Sequence, residues 1–162
     1  ILDNVIYQLL ERLDSYLAEV RERERQRILS SVVFPCELQV LPGFVFRRSK
    51  PAIFGIRVLK GRLRPSIYLM NERGKRVGLV LEIQDRGIRL SEAVEGDEVA
   101  ISVRGGVVGR NIKEGAILYS EVRPVEDERA RSIFYSAMTE DEIRLYERLL
   151  ELRLSRKEEV RK

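Results

Sequence analysis

Hydrophobic and polar positions change their period twice along the chain. At the start Leu2, Val5, Ile6, Leu9, Leu10, Leu13, Tyr16, Leu17 and Val20 recur at about 100° per residue, the period of one helical face. Neither glycine nor proline interrupts the run before Pro35. From Arg21 to Arg27 every position except Gln26 is charged, with Arg and Glu alternating, so this end of the helix is polar all round. A helix packed on a neighbour and a rod spacing two domains both fit the stripe; the polar end favours the rod. The chain begins with Ile1 rather than Met, directly in the helical pattern, and reads as part of something longer.

After Pro35 the period falls to two. Leu38 and Val40 alternate with Glu37 and Gln39 in Cys36 to Leu41, and Phe44 to Phe46 reads as a short separate strand. Ala52 to Leu59 is apolar and β-branched; Gly61 is predicted to turn the chain into a further strand, Arg62 to Met70, with Pro65 at an edge or bulge. Asn71 to Gly74 reads as a hairpin turn into Val77 to Gln84, followed by a loop through Asp85 and Gly87. Val99, Ile101 and Val103 then alternate with Glu98, Ala100, Ser102 and Arg104, and after the glycine-rich turn Gly105 to Gly109 comes Ala116 to Val122. Past Pro124 the helical period returns. Glu126 to Met138 predicts one helix, and Thr139-Glu140-Asp141-Glu142 is a capping box that opens another, to about Arg156, with a fraying tail from Ser155. The last helix has two apolar stripes, Ile143–Tyr146–Leu150–Leu154 and Leu145–Leu149–Leu152; one suffices to pack on the protein, and the second packs inside a helical hairpin or awaits a partner.

The expected architecture is mainly β with flanking helices: a linker helix over 1–31, a small antiparallel β-barrel over 32–123 and a two-helix extension over 124–162. All eleven glycines fall between Gly43 and Gly115, inside the expected barrel. Charge is localised there too. The flanks 1–31 and 124–162 hold 5 and 9 basic against 6 and 10 acidic residues, each net −1, so 32–123, with 16 against 10, supplies the whole excess behind the net +4. Leu38 to Asn71 contains no acid but seven cations, Arg47, Arg48, Lys50, Arg57, Lys60, Arg62 and Arg64, interleaved with Phe44, Phe46, Phe54 and Tyr68. Cations give affinity for phosphates, and aromatic or apolar pockets take bases. The 24 Arg against 6 Lys suit phosphate, though compositional bias or adaptation to heat gives the same ratio.

Several chemistries drop out. Histidine is absent and Cys36 is the only cysteine, so a Ser-His or Cys-His pair, a Cys/His zinc site and an internal disulfide are excluded. One cysteine fits a reducing cytoplasm. No apolar run approaches the ~20 residues of a membrane span. No phosphate-binding G-x-x-x-x-G-K-[ST] loop occurs. Gly106-Val107-Val108-Gly109 matches the GXXG clamp of RNA-binding KH modules in letters only, since that clamp needs helices on both sides. No residue motivates catalysis.

Phe46-Arg47-Arg48-Ser49-Lys50-Pro51-Ala52-Ile53, with Gly55, Gly61 and Leu69-Met70-Asn71, resembles the C-terminal barrel, domain IV, of archaeal and eukaryotic translation initiation factor 5B, the relative of bacterial initiation factor 2. Val77-Gly78, Gln84-Asp85-Arg86-Gly87, Gly96, Val99-Ala100 and Ile112-Lys113-Glu114-Gly115 continue the resemblance, as do the leading helix with Asn4-Val5-Ile6-Tyr7 and the helix at Thr139. Phe54, where the family has glycine, and Ala116, where such barrels often have Asp, depart from the pattern. The resemblance implies a ribosome-dependent GTPase whose domain for GTP and magnesium lies upstream. It implies no cofactor in the barrel, which would hold the aminoacylated CCA end of initiator Met-tRNA and promote its placement on the ribosome and subunit joining. The acceptor end is expected to cross near Arg47, Arg48, Lys50, Arg57 and Arg86, with Gln84 to Gly87 and Glu98, Val99 and Ala100 bordering the pocket for the terminal adenosine and methionyl group. Initiation factor 1A is the implied protein partner, docking on Ile143, Arg144, Leu145, Tyr146, Arg148, Leu149 and Leu152; neither membrane nor DNA is implied. A protein-docking module without tRNA contact is the alternative.

Overall fold

A computed structural model describes residues 2–161, with side chains from residue 3 to residue 156. Its contacts divide the chain into two compact units: the residues up to Val32 with Val125–Ala137, and Val33–Pro124 with Met138 onward. The first unit holds α1 (Leu2–Ser31) and α2 (Glu128–Ser136), which touch each other. Arg129 of α2 pairs with Glu24 of α1 at 2.8 Å. The Asp127 carboxylate caps α2 by accepting the Ala130 N–H at 3.0 Å. The apolar stripe of α1 is exposed from Val5 to Val20. The two C-terminal helices expected as one extension thus belong to different units, α2 with α1 and α3 (Glu140–Arg161) with the barrel.

The second unit is a closed antiparallel barrel. In chain order its strands are β1 (Cys36–Arg47), β2 (Ala52–Leu63), β3 (Tyr68–Met70), β4 (Arg76–Asp85), β5 (Ile88–Leu90), β6 (Ala93–Val94), β7 (Glu98–Arg104) and β8 (Ile117–Ser120). Six run β1-β8-β3-β4-β7-β2 and close through β1–β2 pairing; β5 hangs on β4 and β6 on β2. Alternation makes the inside. Leu38, Val40, Phe54, Ile56, Ile83, Ile101, Val103 and Leu118 are all buried in one core cluster, while their neighbours of opposite parity face out.

Four elements differ from what the sequence predicts. Phe44 to Phe46 is not a separate strand: β1 runs through it, with register shifts between Val40 and Arg47 that absorb Gly43. Gly61 does not turn the chain. It sits inside β2 with φ +76°, and a Cβ there would lie 2.0 Å from the Pro35 carbonyl oxygen, so the missing side chain lets the two backbones touch. Arg62 to Met70 accordingly is the end of β2, a bend and the short β3. The stretch read as loop after Asp85 contains β5 and β6, too short to show a period. The last helix continues to Arg161 rather than fraying from Ser155.

The capping box is formed: Thr139 Oγ1 accepts the Glu142 N–H at 3.2 Å and Glu142 Oε1 accepts the Thr139 N–H at 3.4 Å. From that start α3 lies on the barrel. Tyr146 donates its hydroxyl proton to the Arg123 carbonyl at 2.6 Å, Arg153 donates to the Val122 carbonyl, and Leu145 and Leu149 are buried. No helix among the described residues is long and apolar enough to cross a membrane.

Candidate nucleic-acid interface

Strand register decides which predicted residues share a face. Gly55 of β2 pairs with Ala100 of β7, and Ala100 pairs with Gln84 of β4. One step along, Arg57 pairs with Glu98. These positions have the parity opposite to the buried Phe54, Ile56, Ile83 and Ile101, so they line one outer patch. At Ala100 the floor of the patch is low, since the side chain is only a methyl group, whereas Gly55 beside it is buried. Phe44 seats over Gly55, where a Cβ would lie 2.9 Å from Phe44 Cβ, and Phe44 itself stays 55% exposed. Ala100 thus lies between an aromatic seated on Gly55 and Gln84, whose amide donates to the Glu82 carboxylate at 3.1 Å, with Arg57 and Glu98 on the same face. Arg57 makes no ion pair among the described residues.

β4 carries Gln84 straight into a hairpin. Asp85 pairs with Ile88, which leaves Arg86 and Gly87 as a two-residue turn, with φ +52° and +80°. A turn with both central residues at positive φ matches the twist of its strands and holds Arg86 out in solvent. Arg47, Arg48 and Lys50 are exposed at the other end of β2. There Arg47 Nε donates to the Ser49 carbonyl at 2.9 Å, and the Arg48 carbonyl accepts the Val108 N–H at 2.9 Å.

Other predicted residues are not in this patch. Val99 points inward and is buried, because its parity is that of Ile101 and Val103. Arg62 pairs with Glu142 at 3.1 Å and Arg64 with Glu92 at 3.3 Å; their guanidinium carbons lie 4.2 and 4.4 Å from the Phe34 ring centre. Both cations are therefore used to fasten the far end of the barrel and α3, not offered to phosphate. Lys60 lies at that same end, on the rim of a hollow it shares with Arg62, Arg144 and Arg148. The acid-free run thus does not fold into one patch: at ~3.3 Å per residue it spreads along the whole of β2.

The docking stripe is corrected as well. Leu145, Tyr146 and Leu149 are covered by the protein's own barrel, and Leu152 is half-buried against the turn at Gly74. Ile143 and Leu152, both half-buried, and the exposed Arg144 and Arg148 keep surface. These two cations already have acids nearby, Arg144 with Glu140 and Asp141 at 3.9 and 3.7 Å and Arg148 with Glu37 at 4.0 Å. Phe54, the departure from the family pattern, is wholly buried, so it changes the core and not the outer floor directly. Gly55 was missed as the seat of Phe44, although its place between Phe54 and Ile56 was a legible signal. Also missed were the exposed cations of the β3–β4 turn and the β7–β8 connection, which no acid-free run announces.

The fold is a six-stranded closed antiparallel barrel of the translation-factor type. The chain belongs to the elongation factor Tu domain 4 family, whose model matches residues 34–119. The expected resemblance to the C-terminal region of archaeal initiation factor 5B and IF-2 is supported by individual relatives. The chain is 45% identical over 140 residues to a probable translation initiation factor IF-2 of Ignicoccus hospitalis, covering 86% of this chain and 23% of that protein. It is 39% identical over 154 residues to the one from Metallosphaera sedula, covering 94% and 26%. Among solved structures it resembles GDP-bound aIF5B from Aeropyrum pernix, with a TM-score of 0.76 and 34% identity over 93% of this chain and 25% of that one. It therefore spans about a quarter of the length of these relatives.

Proposed function

We propose that this chain is the tRNA-holding end of a translation initiation factor, and that its outer floor receives the aminoacylated acceptor end of initiator Met-tRNA. The observation that carries the reading is the register Gly55–Ala100–Gln84, which sets an exposed aromatic, seated on Gly55, beside the small Ala100, Gln84 and an arginine without an ion pair among the described residues. An unstacked terminal base has Phe44 to lie against, Gln84 offers an amide to a base edge or ester carbonyl, and Arg57 and Arg86 meet the phosphates. The remainder follows from the relatives' identity. GTP and magnesium would bind in a domain upstream, and GTP hydrolysis would occur there and only on the ribosome. α1 would space that region from the barrel. The whole would act in the cytoplasm to place initiator tRNA and join subunits. Initiation factor 1A would dock on what α3 leaves exposed around Ile143, Arg144 and Arg148.

The test is binding of a short aminoacylated CCA-ended oligonucleotide to the full chain. Arg57→Glu and Arg86→Asn should each weaken it by roughly tenfold, the scale of one charge-assisted contact. Asparagine is chosen at 86 because it tolerates the left-handed turn conformation. Unchanged binding in both variants, or equal affinity for the deacylated oligonucleotide, would sink the acceptor-end reading and leave the protein-docking alternative.

A further inference from the structure

A second group of cations lies outside the acid-free run and away from the floor. A cleft of about 790 Å³ opens between the β3–β4 turn and the connection from β7 to β8. Arg73, Lys75 and Arg76 line one wall and Arg110 and Lys113 the other, against a single acid among the described residues, Glu72. Arg76 is committed to its own protein: it pairs with Glu121 at 2.7 Å and lies 3.8 Å from the Tyr68 ring centre. The other four are exposed and make no ion pair among the described residues.

Both walls are braced. Asn71 Oδ1 accepts the N–H groups of Arg73 and Lys75 at 2.9 and 3.0 Å, which fixes the turn. At Gly74 the turn lies against α3, where a Cβ would stand 3.3 Å from Leu152 Cγ. Across the cleft, Asn111 Oδ1 accepts the Val107 N–H at 2.7 Å, and its amide donates to the carbonyls of Val77 and Gly105 at 3.0 and 3.1 Å. One side chain thus ties the second wall to the base of the first. Four unpaired cations held by fixed backbone repel one another unless an anion lies between them, and fixing them in advance lowers the ordering cost of binding one.

The chemistry of the lining selects the anion. Among the described residues no aromatic lines the cleft, and none of the large exposed apolar side chains does. Unstacked single strands need aromatic platforms, and bound peptides need apolar anchors. A double helix offers phosphate rows with its bases put away, and proteins take it by shape and backbone. We infer that this cleft clamps the phosphodiester backbone of double-helical RNA, as a second RNA-binding surface separate from the floor. β4 links the two places: Val77 lines the cleft and Gln84 lies by the floor, about 24 Å apart at ~3.4 Å per residue.

The probe is a blunt RNA hairpin with no CCA overhang and no amino acid. Its binding to the full chain is followed by fluorescence anisotropy across a series of KCl concentrations. Arg73→Gln with Lys75→Gln, and separately Arg110→Gln with Lys113→Gln, should each cost roughly tenfold in affinity. Each should flatten the slope of log K against log salt by about 0.9 for every phosphate that the protein no longer neutralises. The melting temperature and the binding of the aminoacylated CCA oligonucleotide should not move, which separates failure here from failure of the floor. The control neutralises Arg21 and Arg27 on α1, both exposed. An unchanged slope in both cleft pairs, an equal loss in the control, or tighter binding of oligouridine or a polyglutamate peptide than of the hairpin would each overturn the inference.

Discussion

A methyl group at position 61 has nowhere to go. It would lie 2.0 Å from a backbone oxygen, in a segment whose φ of +76° already disfavours any side chain. Gly61→Ala should cost about 3 kcal/mol or more, while Gly43→Ala, with φ +82° but nothing within 4 Å, should cost only about 1–2 kcal/mol. Urea titration of both variants checks the contrast. Cys36 makes a different kind of test. Its thiol is fully buried beside Ser120, and burial pushes it up from 9.0 to about 12. The folded state therefore keeps a proton that the unfolded chain gives up above pH 9. The stability this confers is fully present below about pH 9 and is lost as pH climbs toward 12. Between pH 9 and 10, the contribution of Cys36 to stability should fall by about 1 kcal/mol, and Cys36→Ala should flatten that slope. A thiol reagent at neutral pH should label Cys36 only when the barrel opens.

Among the elements, those with a strong local signal were legible. The long apolar stripe gave α1, and Thr139 with Glu142 gave the start of α3; Thr139→Ala should cost about 1 kcal/mol in thermal unfolding. The clean alternation of β7 placed Glu98 and Ala100 outside. What failed depended on partners far away in the chain. Gly61 looks like a turn until Pro35 is known to lie against it. Arg62 and Arg64 look free because their acids, Glu142 and Glu92, are remote in sequence. Arg62→Gln should therefore lower the melting temperature, since it strips a partner from the half-buried Glu142, and should leave CCA-end binding untouched. A loss of affinity without loss of stability would return Arg62 to the RNA face. The second stripe of α3 looked spare for a like reason: nothing local says that Leu145 and Leu149 meet the barrel.

For the molecule as a whole, charge summed by segment located the basic excess correctly in the barrel but could not divide it. Folding sorts those cations into floor, fastening and cleft. Arg57, Arg86 and Arg89 fall near Gln84, Arg89 directly opposite it on β5 and paired with Glu82 at 2.9 Å, because strand pairing rather than sequence distance makes neighbours. Barrel closure has a further consequence, in how the fold breathes. Each of its six strands has a bonded neighbour on both sides, so no seam can peel from a free end. Backbone amides in β1, β2, β4, β7 and β8 should then exchange with deuterium at rates that converge on a single opening free energy. β5 and β6, each held from one side, should exchange orders of magnitude sooner. Strands that exchanged at graded rates around the ring would mean that the barrel opens strand by strand, and that the floor across β2, β7 and β4 can come apart without global unfolding.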